Sequence, residues 1–374
     1  MPFCPKPDVC GSCGWAHIPY PKQLQQKLSD INGSFKLKKL ATRVEEIFPS
    51  PKIEHYRNRM DFVIDFEGRV GLREKGKWWK VIDNHTCFLG DERIEELFVA
   101  VREWVHSCGL SFYDRKAHTG LLRYAVIRAT TTGDAMITIV TSKPAENERQ
   151  KIASSLALLV PRSNTCEIIW SVNDTESDVS HVGVLETIRG KGYVEETINQ
   201  NRYRITPNAF FQTNSHAAAL LQQTVLDFAG AVHDKRVLDL YCGSGFFSIP
   251  FAKHGAHVVG MESVEEAIRD ARVNAELNGA EIAFTTAVVE ETDWSIHKPE
   301  LLLLDPPRMG LHDRALEAVI KHAPPAIVYV SCNYKNFARE LVILEKTYRV
   351  SAMRAIDMFP HTPHVELVSL LTKR

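Results

Sequence analysis

Four short segments carry side chains suited to covalent chemistry on an unreactive carbon. Ser331-Cys332-Asn333 follows an apolar run at 327–330, and Asp305-Pro306-Pro307-Arg308 follows another at 301–304. His361-Thr362-Pro363-His364-Val365-Glu366 and Phe210-Phe211-Gln212-Thr213-Asn214 complete the set. A thiolate is the strongest nucleophile among ordinary side chains, so Cys332 is the candidate nucleophile. A lone cysteine at a strand end is otherwise a packing residue. Arg308 stands where many methyltransferases acting on exocyclic amines have an aromatic residue after Asp-Pro-Pro, which weakens an amino-acceptor reading. A pyrimidine C5 is a poor nucleophile and requires help. Thiolate addition to C6 makes C5 carbanion-like, and C5 can then attack a methyl sulfonium. The proton left on C5 must be removed before the thiol departs, so a general base is needed. Glu366 is the candidate base, with His361 and His364 nearby in sequence. His364 and Glu366, two residues apart, share one strand face. A His/His/Glu metal set is a further reading, but its spacing is loose and no further ligand is evident.

Residues 237–247 read V-L-D-L-Y-C-G-S-G-F-F, a short strand, a glycine turn and the start of a helix. Gly243 and Gly245 allow positive φ and close approach of backbone to a ligand. The third glycine of a dinucleotide fingerprint is absent, because position 248 is Ser. Glu262 closes the next strand, 23 residues after Asp239, where an acidic side chain suits a ribose diol. These features fit an S-adenosylmethionine site better than a nicotinamide site.

Eight cysteines sit at 4, 10, 13, 87, 108, 166, 242 and 332. Cys4, Cys10 and Cys13 have the spacing C-x5-C-x2-C, and Cys87 follows far downstream. Four soft ligands suit zinc or a [4Fe–4S] cluster, and spacing does not choose between them. Cys108, Cys166 and Cys242 read as packing residues. The start of the chain shows no apolar signal segment, and no run approaches a transmembrane length, so a cytoplasmic protein with reduced thiols is expected.

The elements that must position these groups divide the chain in two. Residues 1–205 hold helical patterns near 21–41 and 92–108, which could pack on the second half. Between them, and out to 198, lie β-rich segments that read as an antiparallel α+β domain. Residues 206–374 alternate strand and helix, which predicts parallel βαβ units in a doubly wound sheet. Two final strands without a helix between them predict a hairpin at the sheet edge. The 374-residue chain has a formal charge of −1, yet residues 1–80 carry a net +6. Basic side chains from Lys36 to Lys80 interleave with Tyr56, Phe62, Trp78 and Trp79, a pattern that suits RNA.

Together, V-L-D-L-Y-C-G-S-G, F-F-Q-T-N, L-D-P-P-R, V-S-C-N and M-F-P-H-T-P-H-V-E resemble the RNA uracil-C5 methyltransferases, five motifs in family order across 205–374. The resemblance implies an α/β fold, a C-terminal class I (Rossmann-like) S-adenosylmethionine methyltransferase domain with an N-terminal α+β domain carrying an Fe–S cluster. It implies Cys332 as nucleophile and Glu366 as base. It places Gln212 and Asp305 near cofactor and uracil, and Tyr241, Gly243 and Glu262 on S-adenosylmethionine. Tyr241 stands where many members have Phe. The cysteine set resembles that of bacterial members, which implies a structural [4Fe–4S] cluster on Cys4, Cys10, Cys13 and Cys87. Tyr56-Arg57-Asn58-Arg59 resembles the family as well, placing Arg57 and Arg59 on RNA. The target uridine must leave its stack, and Phe210 or Phe211 is expected to stack on it. Many relatives carry a TRAM barrel ahead of the cysteines. Its lack before Cys4 resembles the shorter branch acting on 23S ribosomal RNA. Transfer RNA is the alternative target, and a non-catalytic iron–sulfur RNA-binding protein the alternative class.

Overall fold

The computed structural model describes residues 4, 6, 9–159, 161 and 166–374. Helix α1 (Tyr20–Leu37) follows the cysteine loop and buries Gln23, Lys27, Ile31 and Phe35, a stripe at i, i+4 spacing that is half polar. The two-residue strand β1 (Ile47–Phe48) comes next. Strands β2 (Arg59–Ile64), β3 (Val70–Glu74) and β4 (Lys77–Asp83) form a meander. Helix α2 (Glu92–Ser107) starts where the Asp91 side chain accepts from the Arg93 N–H, a cap for an otherwise unpaired donor. Strands β5 (Leu122–Ala129) and β6 (Ala135–Thr141), helix α3 (Arg149–Ala157), and strands β7 (Cys166–Val172) and β8 (Val184–Arg189) follow.

These strands make a seven-stranded sheet in the order β4-β3-β2-β5-β6-β7-β8. It is not wholly antiparallel as expected: β6 and β7 run parallel. The reason is α3, a crossover the sequence reading missed, which lets the chain return to the same end of the sheet. Helix α2 buries Ile94, Leu97, Phe98, Val101 and Val105 in this sheet's own core rather than on the second half of the chain.

The second half begins with a hairpin, β9 (Val194–Ile198) and β10 (Asn201–Ile205). It continues through α4 (Ser215–Ala229), β11 (Arg236–Leu240), α5 (Ser248–Lys253), β12 (His257–Glu262), α6 (Glu265–Leu277), β13 (Ile282–Thr286) and β14 (Leu301–Leu304). It ends with α7 (Asp313–His322), β15 (Ala326–Ser331), α8 (Tyr334–Leu344), β16 (Tyr348–Ile356) and β17 (Glu366–Lys373). The sheet order is β1-β16-β17-β15-β14-β11-β12-β13, and β17 alone runs against its neighbours. The closing hairpin is therefore not the edge. β17 is inserted between β15 and β16, and β1 from the N-terminal half caps β16 in parallel.

Hydrophobic burial sorts the segments differently from chain order. Val194, Ile198, Tyr203 and Ile205 of the β9–β10 hairpin lie in the core of the second sheet, ahead of the 205–206 boundary expected from sequence. Ile31 and Phe35 of α1 join the core on that sheet's other face. Among the described residues, no helix is long and apolar enough to cross a membrane.

Candidate active site

Strand register builds the floor of the site. Leu240 pairs with Met261 on one side and with Leu304 on the other. One step further along the parallel strands, Glu262, Tyr241 and Asp305 stand in a row at the carboxyl ends, where open α/β sheets bind ligands. On the other side, β15 and β17 pair Ser331 with Leu367 in antiparallel register. One step beyond that pair, Cys332 and Glu366 come opposite each other. Residues 34 apart in sequence thus meet because β17 is inserted beside β15.

The loops at these ends hold their own geometry. Tyr241 and Gly243 both have positive φ, 68° and 52°. For Tyr241 this is a strained conformation, of the kind that gathers at ligand sites. Gly243 donates its N–H to Glu262 Oε2 at 3.3 Å, and Glu262 Oε1 accepts from the Ser263 hydroxyl and the Val264 N–H. Beneath them the Ser248 hydroxyl donates to the buried Asp239 carboxyl at 2.5 Å. Burial pushes Asp239 up to about 7, with nearby Asp305 and Glu262 adding to it.

Asn333 caps α8 by accepting from the Lys335 N–H, and its amide donates to the Arg308 carbonyl at 3.2 Å. Asn336 donates to the same carbonyl at 2.9 Å. The Asp305–Arg308 and Ser331–Asn333 loops are thereby tied together. The segment before α4 is held from the other domain. The Asn58 amide donates to the Gln212 carbonyl and the Ser215 hydroxyl, and its N–H donates to the Thr213 carbonyl. Asn58 lies between two arginines singled out from sequence, and its short polar side chain gave no separate signal.

All these loops border one cavity of about 1390 Å³. It gathers Cys332, Glu366, Gln212, Tyr241, Gly243, Glu262, Asp305, Phe210, Arg57 and Arg59, together with Arg308 and His364. Phe210 is 74% exposed at the rim, whereas Phe211 is buried against Tyr203 and Phe246. Of these two, Phe210 is the ring open to the cavity mouth. His361 is turned away, with its Nδ1 3.0 Å from Gln23 Nε2 of α1. Among the described residues no group of three or more His, Cys, Asp or Glu is arranged to hold a metal, so the His/His/Glu set is not assembled.

The site is electrostatically loaded. Burial pushes the Cys332 thiol up to about 12; the Glu366 and Asp305 carboxyls raise it and Arg308 opposes them. Burial, and then Asp305, holds the Glu366 carboxyl well above the usual range, and burial pushes Asp305 up to about 7. Burial and the two carboxyls thus favour the neutral thiol at Cys332.

The N-terminal cysteines also converge. Cys4, Cys10, Cys13 and Cys87 are all buried. Burial, and then Cys87, Cys4 and Cys10, pushes Cys13 up to about 12. The Lys6 and Ser12 N–H groups point at Cys4 and Cys10 sulfurs, at 3.4 and 3.5 Å. The four thiols share one neighbourhood without ligating geometry among the described residues. Of the aromatics expected on an RNA face, Tyr56 and Phe62 are buried in the core. Trp78 and Trp79 on β4 are half exposed and meet edge to face at 5.8 Å. Lys77 and Lys80 beside them pair with Glu74.

Comparison with known proteins decides the family. The model described as tRNA (Uracil-5-)-methyltransferase matches residues 19–374. The chain belongs to this family. It is 38% identical over 366 residues to a tRNA (uracil(54)-C(5))-methyltransferase of Pyrococcus horikoshii, covering 97% of this chain and 83% of that protein. An uncharacterized RNA methyltransferase of Caldanaerobacter subterraneus is 36% identical, covering 99% and 84%. The crystal structure of Pyrococcus abyssi tRNA (uracil-54, C5)-methyltransferase in complex with S-adenosyl-L-homocysteine superposes with a TM-score of 0.82 at 35% identity, over 97% of this chain and 86% of that one. The protein is an RNA uracil-C5 methyltransferase that uses S-adenosylmethionine.

Proposed function

We propose that this enzyme methylates C5 of a uridine in transfer RNA through covalent catalysis by Cys332, with Glu366 as the base. The observation that carries the chemistry is the placing of Cys332 and Glu366 opposite each other at the mouth of β15 and β17, in the cavity that also holds Tyr241, Gly243 and Glu262. S-adenosylmethionine, when bound, supplies the methyl group as a sulfonium electrophile. After the Cys332 thiol gives its proton to solvent, its sulfur bonds to uracil C6, and C5 gains the π electron pair that forms the new C–CH3 bond as the methyl–sulfonium bond breaks. Glu366 then takes the C5 proton, and the C–S bond breaks to restore the C5–C6 double bond and the thiolate. Glu262, fixed by three donors, suits a ribose diol, while Phe210 at the rim suits stacking on the extruded base. Arg57 and Arg59 line the same cavity, Arg57 donating to the Ser12 carbonyl and Arg59 paired with Asp61, and their charge suits an RNA backbone nearby.

The choice of RNA rests on the comparisons. Relatives from three Pyrococcus species are named for uracil-54 of tRNA, which favours tRNA over 23S ribosomal RNA. Incubation with unmodified tRNA and 23S ribosomal RNA transcripts is expected to place 5-methyluridine in the tRNA. Methylation of the ribosomal transcript alone would overturn that choice. A cytoplasmic setting suits such a substrate and the eight free cysteines.

The four N-terminal thiols fit a [4Fe–4S] cluster in donor type and burial, and the Arg57 guanidinium beside Cys87 and Cys13 would offset the charge of four thiolates. Cys4, Cys10, Cys13 and Cys87 would hold it as a structural tie for the N-terminal loop. Anaerobic purification is expected to yield about four iron and about four sulfide per chain; stoichiometric zinc would replace the cluster reading.

A further inference from the structure

The loop between β16 and β17 delivers Glu366 to the cavity, yet it is held mainly from the far end of the chain. Lys27 of α1 donates to the Asp357 carboxylate at 2.6 Å and to the Phe359 carbonyl at 3.1 Å, and the Lys27 and Asp357 side chains are fully buried. Gln23, one turn earlier and also fully buried, grips the next part of the loop. Its Oε1 accepts from the His361 N–H at 2.8 Å, and its Nε2 lies 3.0 Å from His361 Nδ1. The same Nε2 lies 3.1 and 2.8 Å from the carbonyls of Trp15 and Ile18, in the segment that continues from Cys13. Trp15 donates its N–H to the His361 carbonyl, and the Tyr56 hydroxyl donates to Pro360 at 3.0 Å. His361 itself has a φ of 63°, a left-handed conformation that a non-glycine residue keeps only when its surroundings hold it there.

A buried amide and a buried ammonium on an amphipathic helix are costly choices for packing alone. Apart from the Trp15 and Ile18 carbonyls, their hydrogen-bond partners lie within 357–361, five to nine residues ahead of Glu366, in a loop whose other end carries His364 into the cavity. We infer that Gln23 and Lys27 are positioning residues for the base, setting the loop that aims Glu366 at the C5 proton. This inference rests on the reading of Glu366 as that base. It separates two steps of the reaction: bond formation depends on Cys332 on β15, whereas proton removal depends on a carboxylate at the start of β17, downstream of the clamped loop.

The test follows the covalent RNA–protein adduct. In Gln23→Ala, single-turnover methyl transfer is expected to stay within about twofold of the parent. Release of methylated RNA from the adduct should slow by about tenfold to a hundredfold, the effect of a small misplacement of a reacting group. The methylated adduct should then persist on denaturing gels. Lys27→Met leaves Asp357 buried and unpaired, so the double variant Lys27→Met/Asp357→Asn serves as the second probe, with the same expected split. Folded variants that release RNA at the parent rate, or that lose methyl transfer and release in equal measure, would overturn the assignment. Glu366→Gln is the control. If it fails to trap an adduct, the base reading falls and this inference with it; if it traps one and the α1 variants do not, only the positioning role falls.

Discussion

Cys332→Ala is expected to lower methyl transfer to RNA by more than about 10⁴-fold, the scale seen when a covalent nucleophile is removed. The fold should survive, because Cys332 is only partly buried at a strand end and its replacement leaves the β15–β17 ladder intact. The loss arises in the reaction itself. Uracil C5 is not nucleophilic enough to attack a sulfonium unaided, and no other cysteine borders the same cavity except Cys242, which is buried in the Tyr241–Gly243 turn. Binding of S-adenosylmethionine should be unchanged, since Tyr241, Gly243 and Glu262 lie on other strands. Methylation surviving in Cys332→Ala, measured with labelled methyl donor and tRNA, would remove the covalent mechanism.

For Glu366→Gln the expected outcome is the accumulation of a methylated adduct. The amide keeps the shape of the side chain and removes its capacity to take the C5 proton. Addition and methyl transfer then proceed once, and elimination stalls. Turnover should fall by about 10²–10⁴-fold, the usual worth of a positioned general base, while one equivalent of RNA remains attached to protein through denaturation. The amide matches the carboxyl in shape, and burial and then Asp305 raise the Glu366 carboxyl above its usual range, so the charge contributes little to holding the free fold. A variant that turns over slowly with no trapped species would assign proton removal to another group.

Both expectations start from residues legible in the sequence, and the limits of that legibility have a physical pattern. Strand-end loops announce themselves locally. An apolar run such as Leu301–Leu304 followed by Asp-Pro-Pro, or 237–240 followed by Tyr-Cys-Gly, marks a buried parallel strand and the turn beyond it. The cavity accordingly gathers Tyr241, Gly243, Glu262, Asp305 and Cys332 from those loops. Aromatic roles were not legible. Phe210 and Phe211 are neighbours of one type, and only packing separates the exposed ring from the one locked against Tyr203. Tyr56 and Phe62 resemble exposed RNA contacts by spacing, yet Phe62 lies on an inward face of β2 and Tyr56 donates to Pro360.

Composition and pattern by themselves determined the parallel sheet of the second half, the motif order, and the chemistry that a thiol and a carboxylate permit. They could do so because strand and helix periodicity and turn chemistry are local properties of the chain. What only the tertiary structure decided is which distant residues face each other. The insertion of β17 beside β15 sets Cys332 against Glu366, and the return of α1 to that sheet makes Gln23 and Lys27 the holders of the loop ahead of Glu366. Register and long-range hydrogen bonds of this kind depend on elements tens to hundreds of residues apart, and no local pattern encodes them.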